Sequence, residues 1–209
     1  MKTILFQGDS ITDTDRSRND DVNTGYGYAT MVMGEVGAEY PGEYTMYNRG
    51  ISGNRIVDLY ARIKKDTINL KPDVMSILIG VNDVWHEFGF GGGNGVDAEK
   101  YFKIYSMLIE EIKEALPDIK IMILEPFTLP GTGNAEYYED FRLEVEKRAE
   151  KAKAIAEKFS LPFVELQKYF DEVAKITPAD MWLRDGVHPT AAGHGIIKRE
   201  WMKCFLGIK

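Results

Sequence analysis

Short apolar runs alternate with longer amphipathic segments along the chain. The runs are partly β-branched and continuous, as expected of strands that are buried on both faces of a parallel sheet. We predict strands at 3–6, 44–47, 74–79, 119–124 and 163–164. We predict helices at 25–36, 57–69, 98–116, 138–159 and 191–205. This repeated alternation predicts an α/β fold with a doubly wound, five-stranded parallel sheet.

The chemically interesting segments all follow predicted strands or precede predicted helices. Ligands of open α/β sheets bind beyond the carboxyl ends of the strands. The glycine-rich segments 89–95 and 131–133 also fall at that end. No internal repeat or low-complexity linker interrupts the pattern, so residues 1–209 are predicted to form one domain.

The charge balance argues against two classes of partner. The chain has 209 residues, with 26 Lys and Arg against 33 Asp and Glu, which gives a net charge of −7. Its basic residues are dispersed, whereas nucleic acids and anionic membranes bind clustered Lys and Arg. No apolar run approaches the roughly 20 residues that a membrane helix needs. We therefore expect neither a nucleic-acid nor a membrane partner.

The N-terminal apolar run and the cysteine content bear on location. Residues 4–6 are too few for the apolar region of a signal peptide, so we expect a cytoplasmic protein or one whose leader has been removed. Cys204 is the only cysteine, so no disulfide can form within the chain. A lone cysteine is compatible with a reducing compartment.

The segment Gly-Asp-Ser-Ile-Thr at 8–12 directly follows the first predicted strand. A serine hydroxyl is a poor nucleophile at neutral pH unless a neighbouring base takes its proton. In a turn at the end of a strand, Ser10 would face the cleft, and its own amide could stabilise an oxyanion. The alternative is that Asp9 or Ser10 only caps a helix. The sequence has no Gly-x-Ser-x-Gly elbow, which disfavours an ordinary α/β-hydrolase.

The segment Asp-Gly-Val-His-Pro at 185–189 offers a base for that serine. Histidine is the side chain whose ordinary pKa suits proton transfer near neutrality. Asp185 can fold back to the Nδ1 atom of His188, which fixes the tautomer and leaves Nε2 for the serine. Gly186 permits the turn, and Pro189 begins the next helix. The alternative is a plain turn with an incidental histidine.

Two further segments offer donors for an oxyanion. In Asn-Arg-Gly-Ile-Ser-Gly-Asn at 48–54, a glycine lets the backbone approach a reacting atom, and its amide can donate. In Gly-Val-Asn-Asp at 80–83, Asn82 can donate through its side-chain amide. The alternatives are a plain turn for the first segment and an Asx turn or helix cap for the second. We expect Asp83 to be structural.

Together these four segments supply a nucleophile, a base, an orienting acid and oxyanion donors, the full set for acyl transfer. They resemble the four blocks of the SGNH (GDSL-type) hydrolases and span 8–189. The resemblance implies a flavodoxin-like three-layer α/β/α sandwich and a serine esterase that needs no cofactor. It implies that Ser10 is the nucleophile, His188 the base and Asp185 its partner.

The resemblance also assigns the oxyanion hole to the amides of Ser10 and Gly53 and to Asn82. Gly53 is preferred to Gly50 because it lies five residues after Asn48. Gly-Val-Asn at 80–82 departs from the commoner Gly-Gly-Asn of the family. A valine amide can serve as well as a glycine amide, so the assignment stands.

The segments 8–13, 48–54, 79–85 and 188–194 look most like the intracellular acetylxylan-esterase-like branch. Such enzymes remove acetyl groups from sugar hydroxyls, need no metal and often form homo-oligomers. The resemblance therefore implies a small ester substrate such as an acetylated xylo-oligosaccharide. The alternatives are a lysophospholipase or thioesterase of the same family and a non-catalytic carbohydrate-binding module on this fold.

The three histidines of the chain do not suggest a metal site. His188 and His194 are not spaced as a helical ligand pair, so no metal is expected. We expect His194 to lie on a helix surface or at an interface. His86 is expected to contact substrate, with an ordinary loop position as the alternative.

Aromatic side chains also fall near the predicted rim. Trp85 and Trp182 are expected to line the acyl pocket, with core packing as the alternative. The other rim aromatics by position are Tyr26, Phe88 and Phe90.

Overall fold

The computed structural model, which describes residues 1–89 and 91–209, has one five-stranded sheet in the described part. Its strands are β1 (Lys2–Gly8), β2 (Tyr44–Asn48), β3 (Val74–Leu78), β4 (Lys120–Leu124) and β5 (Phe163–Val164). They lie in the order β2-β1-β3-β4-β5, and all neighbouring pairs are parallel. The predicted α/β fold with a five-stranded parallel sheet is confirmed.

Helices surround this sheet. Those of the described residues are α1 (Ser10–Asp13), α2 (Tyr28–Glu39), α3 (Ile56–Ala61), α4 (Ile63–Asp66), α5 (Val81–Phe88), α6 (Ala98–Ala115), α7 (Tyr138–Phe159), α8 (Gln167–Ala174) and α9 (Ala191–Ile208). Short 3₁₀ turns occur at Ile68–Leu70, Ala135–Tyr137 and Ala179–Met181. Within 1–89 and 91–209, none of the helices combines the length and apolar character needed to cross a bilayer.

Alternate side chains of each central strand enter two separate cores. In β1, Ile4 and Phe6 pack on one face of the sheet with residues of α2, α8 and α9. Leu5 packs on the opposite face with residues of α3, α6 and the C-terminal half of α7. The central strands β1, β3 and β4 are mainly apolar because both faces of the sheet are covered. The result is the expected flavodoxin-like three-layer α/β/α sandwich, and its strand order is that of flavodoxin.

Two of the predicted helices differ clearly from the structure. The helix predicted at 25–36 begins only at Tyr28, because the preceding residues form a loop in which Tyr26 and Gly27 donate backbone hydrogen bonds to Thr14. The prediction of one helix over 57–69 is wrong, because the helix breaks at Arg62. The guanidinium of Arg62 turns inward there and donates to the carbonyl oxygens of Arg49 and Gly8.

The register of the sheet brings the predicted segments to one edge. Phe6 of β1 lies opposite Asn48 of β2 and Ser76 of β3, so these three strands end at nearly the same level. Strand order reverses at β1, and the loops after β1 and β3 leave a crevice there. The segments at 8–12, 48–54 and 80–83 all begin at this crevice.

Candidate active site

Ser10 is the first residue of α1 and follows β1 after a single intervening residue. That residue, Asp9, is the helix N-cap, and its Oδ1 accepts a hydrogen bond of 2.9 Å from the amide of Ile11. The cap at Asp9 and the half-buried serine at the start of the helix therefore occur together. At Gly8, a Cβ atom would lie 2.3 Å from Oγ1 of Thr12, so only glycine lets the chain turn this tightly.

A continuous line of polar atoms starts at Ser10. Its Oγ lies 2.9 Å from Nε2 of His188, and Nδ1 of the same ring lies 2.7 Å from Oδ2 of Asp185. These residues are 178 and 3 positions apart in sequence. A hydroxyl, an imidazole and a carboxylate in this order can activate an oxygen nucleophile for acyl transfer.

The turn at 185–188 holds the carboxylate and the imidazole in place. Gly186 has a left-handed φ of 94°, which a side chain would strain. Oδ1 of Asp185 accepts hydrogen bonds from the amides of Val187 and His188 at 3.0 and 2.8 Å. Partial burial favours a raised pKa for Asp185, but its hydrogen bonds with the ring and amide of His188 and with Val187 outweigh burial and lower the pKa to about 2.

The two glycine amides that could belong to an oxyanion hole differ in their surroundings. The amide of Gly50 donates to Oδ1 of Asn48 at 2.9 Å and is already used. The amides of Gly53 and Ser10 have no protein acceptor among the described residues. Gly53 also has a left-handed φ of 80°. These contacts favour Gly53 over Gly50 as the donor.

Asn82 lies in the first turn of α5 and is buried. Its Nδ2 donates to the carbonyl oxygen of Asn54 at 3.2 Å, which places it against the loop that carries Gly53. An asparagine amide has two N–H donors, so one remains for a ligand. The segments after β2 and β3 therefore meet at this point.

Two buried carboxylates, those of Asp83 and Asp9, hydrogen-bond to the backbone of these segments. Both oxygens of Asp83 accept from the amide of Ile56, at 3.0 and 3.2 Å, and so fix the end of the 48–54 loop. Burial raises the pKa of Asp83 well above its usual range. Burial also raises the pKa of Asp9 to about 7, against the opposing effect of its bond from Ile11. The structural role expected for Asp83 agrees with these contacts.

Asp13 is a site residue that the sequence did not reveal. Its Oδ2 accepts from the amide of Ser52 at 2.8 Å and pairs with the guanidinium of Arg18. Asn48 strengthens the same contact between α1 and the 48–54 loop by donating to the carbonyl oxygen of Thr12 at 2.7 Å. An aspartate one turn into a short helix carries no local pattern that signals this contact.

The substrate-contact residues predicted from the sequence lie in different places. The ring centroids of Trp85 and His188 are 5.6 Å apart, and the indole N–H of Trp85 donates to the hydroxyl of Tyr137. His86 is half-buried and hydrogen-bonded to the backbone carbonyl oxygen of Gly53. Burial and the charge of Arg55 lower its pKa.

The side chain of Trp182 makes different contacts from those of Trp85 and His86. Its indole N–H donates to Oγ1 of Thr177 at 2.7 Å, and its ring packs against the core. Of the other rim aromatics, Phe88 stacks on Tyr137, and Phe90 lies outside the described residues.

A cleft of about 150 Å³ opens beside Ser10. It is lined by Ser10, Asp13, Thr14, Asp15, Tyr26, Ser52, Arg184, His188, Pro189 and His194. The expected surface or interface position of His194 is wrong, because the side chain is only 1% exposed. Its Nδ1 accepts from the amide of Tyr28 at 3.2 Å, so α9 packs this residue inward against the start of α2. In residues 1–89 and 91–209, no group of three or more His, Cys, Asp or Glu side chains is arranged to hold a metal ion.

Comparison with known proteins gives consistent relatives. The model of the GDSL-like Lipase/Acylhydrolase family matches residues 6–196. An acetylxylan esterase from Geobacillus stearothermophilus is 37% identical over 210 residues, covering 96% of this chain and 92% of the relative. A GDSL-like lipase-family protein from Parabacteroides merdae has 36% identity and a TM-score of 0.86, covering 100% of this chain and 96% of its own.

A solved structure of an acetylxylan esterase from Geobacillus stearothermophilus has 34% identity and a TM-score of 0.86, covering 97% of this chain and 93% of its own. A serine-to-alanine and an aspartate-to-alanine variant of that esterase are known as catalytic mutants. The family model covers most of the chain, and the relatives agree with it in sequence and fold. The chain therefore belongs to the GDSL-like lipase/acylhydrolase (SGNH hydrolase) family and is a carboxylic ester hydrolase.

Proposed function

We propose that this esterase removes short acyl groups, acetyl above all, from the hydroxyls of xylo-oligosaccharides or related sugars through an acyl-enzyme. The observation that carries the proposal is the line from Ser10 through His188 to Asp185, with contacts of 2.9 and 2.7 Å. The acetylxylan esterase relatives support the choice of substrate.

In the first half of the proposed reaction, Oγ of Ser10 bonds to the ester carbonyl carbon while its proton passes to Nε2 of His188. The carbonyl electron pair moves to oxygen, and the amides of Ser10 and Gly53 and Nδ2 of Asn82 donate to that oxyanion. The C–O bond to the alcohol then breaks. The leaving oxygen takes the proton from His188, and an acyl-Ser10 ester remains.

In the second half, water gives a proton to Nε2 of His188 as its oxygen attacks the acyl carbon. The same three donors hold the second oxyanion. Its collapse breaks the bond to Oγ, which takes the proton back from His188. Acetic acid leaves as acetate, and Ser10 is restored. Asp185 stays ionised throughout and stabilises the protonated ring.

The lining of the cleft favours a sugar over a lipid. Asp13, Asp15 and Arg184 are charged, and Thr14 and Ser52 carry hydroxyls. Such a surface matches the hydroxyls of a sugar, whereas a long acyl chain would need an apolar groove. A thioesterase or lysophospholipase activity is therefore the less favoured alternative.

The proposal is tested with p-nitrophenyl acetate, butyrate and octanoate and with acetylated xylo-oligosaccharides, for wild type, Ser10→Ala and Ser106→Ala. Ser106 is a serine of α6 outside the cleft lining and serves as the matched control. We expect fast turnover that falls with chain length, release of acetate from the sugar, and loss of both in Ser10→Ala alone. A preference for octanoate would favour the lipid or thioester alternative. Equal inertness of wild type and Ser10→Ala would favour a binding module.

Several features of the protein remain predictions. We propose that residues 1–209 act as one domain and that the substrate is the main partner, with no nucleic-acid or membrane partner. Homo-oligomer formation and a cytoplasmic location also stay predictions. Sedimentation of the purified protein and fractionation of its native cells would test the last two.

A further inference from the structure

One wall of the cleft takes no part in the proposed ester chemistry. It is formed by His194, Tyr26, Arg184 and Asp15, beside Ser10 and His188. Neither of the two sequence-distant oxyanion donors, Gly53 and Asn82, is part of the cleft lining in the described chain. What this wall binds is therefore a separate question from how the carbonyl is activated.

The proposed reaction determines which part of an ester enters this cleft. The leaving oxygen must come within hydrogen-bond distance of Nε2 of His188 to receive its proton. The carbonyl oxygen instead points to Gly53 and Asn82, outside the cleft. The alcohol side of the ester therefore extends from His188 into the cleft and along the unused wall.

His194 presents one hydrogen-bond donor on this wall. Its Nδ1 accepts from the amide of Tyr28, so the proton of the neutral ring is on Nε2. In the described chain, that N–H has no protein acceptor. Nε2 is nevertheless not fully buried, so it can donate to a bound molecule. The ring is almost fully buried and borders the cleft, so its small exposed part faces the cleft. Burial, with the nearby charge of Arg184, lowers its pKa to about 4 and keeps the ring neutral at ordinary pH.

Two exposed charges flank this donor. Arg184 is exposed, and no carboxylate of residues 1–89 or 91–209 lies within ion-pair distance of its guanidinium. Asp15 is also exposed, on a backbone with a left-handed φ of 57° that follows Thr14 at 43°. The backbone of Thr14 is fixed because its oxygen atoms accept from the amides of Tyr26 and Gly27. The carboxylate therefore stands on a backbone that is held in place at the cleft.

Tyr26 completes the wall with an aromatic surface. Its side chain is 51% exposed, and its ring meets the ring of His194 edge-on at a centroid distance of 6.4 Å. An aromatic face covers the C–H face of a sugar ring, while N–H donors and a carboxylate pair with its hydroxyls. A hydroxyl-rich alcohol satisfies all of these groups at once, and a phenol or an aliphatic alcohol does not.

We propose that this wall is the subsite for the sugar that carries the ester, with Nε2–H of His194 as a neutral donor to a ring hydroxyl. Arg184 and Asp15 bind neighbouring hydroxyls, and Tyr26 covers the ring. His194 and Arg184 are then specificity residues for the alcohol half of the substrate. The inference rests on the proposed function, because it takes Ser10 as the nucleophile and a sugar ester as the substrate.

The test compares two replacements of His194. In His194→Asn, the side-chain oxygen can still accept from Tyr28, but no donor reaches the position of Nε2. In His194→Gln, the longer amide places an N–H there. The measured quantity is kcat/KM on acetylated xylo-oligosaccharide divided by kcat/KM on p-nitrophenyl acetate. We expect this ratio to fall about 3- to 10-fold in His194→Asn, the effect of one neutral hydrogen bond, and to recover in His194→Gln.

Arg184→Gln keeps the test decisive if His194→Asn does not fold, because Arg184 is exposed. The same ratio should fall in this variant, chiefly through KM for the sugar. Arg199→Gln removes an equal charge from α9 outside the cleft lining and should leave the ratio unchanged. An unchanged ratio in folded His194→Asn and in Arg184→Gln overturns the subsite. Wild-type activity in Ser10→Ala overturns the proposed function itself, so the two failures are distinguishable.

Discussion

One carboxylate holds both the ring and the backbone of His188. Oδ2 of Asp185 lies 2.7 Å from Nδ1 of His188, and Oδ1 accepts the amide hydrogen of the same residue at 2.8 Å. The ring therefore cannot rotate without breaking a charge-assisted hydrogen bond. Its Nδ1 carries the proton, and Nε2 is left free to accept one from Ser10.

Asp185→Asn should separate geometry from charge. The amide can keep the backbone hydrogen bonds through its oxygen, but its NH₂ group facing Nδ1 favours the wrong tautomer. We expect kcat for p-nitrophenyl acetate to fall by about 10⁴, as for other triads that lose this charge. Asp180→Asn, at an exposed aspartate nearby in sequence, is the control. A decrease of less than tenfold would contradict the proposed role of Asp185.

Removing the side-chain donor of Asn82 should lower kcat far more than substrate binding. We expect Asn82→Ala to lose about 10²–10³ in kcat, because the donated hydrogen bond strengthens as charge develops on the oxyanion. The bond to Asn54 is lost as well, so the melting temperature must be measured beside the rates. Asn69→Ala, at an exposed asparagine, is the matched control. Equal kcat for Asn82→Ala and wild type would remove Asn82 from the oxyanion hole.

Two glycines of the 48–54 loop should respond differently to alanine. At Gly50, a Cβ would lie 2.3 Å from the amide nitrogen of Asp13, so Gly50→Ala must displace the backbone of α1. At Gly53, there is open space for a Cβ, but φ is 80°. We expect Gly50→Ala to destabilise the fold by several kcal/mol, roughly the upper range for point mutants.

Gly53→Ala should instead cost about 1 kcal/mol of stability from backbone strain, with a clear loss of kcat as the amide is turned from the oxyanion. Urea unfolding and turnover of p-nitrophenyl acetate measure the two effects. The opposite pattern, in which Gly50→Ala folds normally but loses kcat, would transfer the oxyanion role to Gly50.

The sheet could be predicted because its signal is local. The central strands carry continuous apolar stretches, such as residues 4–6 and 121–124, which are buried between the helices on the two faces of the sheet. The short helices α1, α5 and α8 were not predicted. Helix α1, at Ser10–Asp13, is too short for a helical period to show, and its fixed position comes from contacts with Asn48 and Ser52.

The catalytic candidates were predictable for a different reason. Ser10, Asp185 and His188 lie in motifs whose combination of residue types is typical of acyl-transfer catalysis and of few other roles. The position of His194 depends instead on packing of α9 against α2, which no spacing along α9 reveals. The indole N–H of Trp182 likewise donates to Thr177, and this orientation depends on tertiary packing rather than on the local sequence. The cleft wall was missed because its members come from separate loops and a helix.

Asp9 should make the stability of the protein depend on pH in an unusual direction. It is buried, Oδ1 accepts from Ile11, and Oδ2 has no protein partner among the described residues. Burial raises its pKa from about 3.8 to about 7. Between these values the folded state keeps a proton that the unfolded state releases. The Asp9 contribution to stability is therefore fully present below pH 4 and is lost as pH rises to about 7.

Asp9→Asn removes this titration while the amide oxygen can still accept from Ile11. We expect the wild type to lose up to about 3 kcal/mol more than the variant between pH 5 and pH 8, since two pH units of linkage amount to about that much. The free energy of unfolding in urea at both pH values measures the difference. The buried Asp83 is present in both proteins, and the measured difference includes the part of its raised pKa that comes from the charge of Asp9. Parallel pH dependences would mean that Asp9 is already ionised in the fold at pH 5, and that the atoms around Ser10 stabilise its charge.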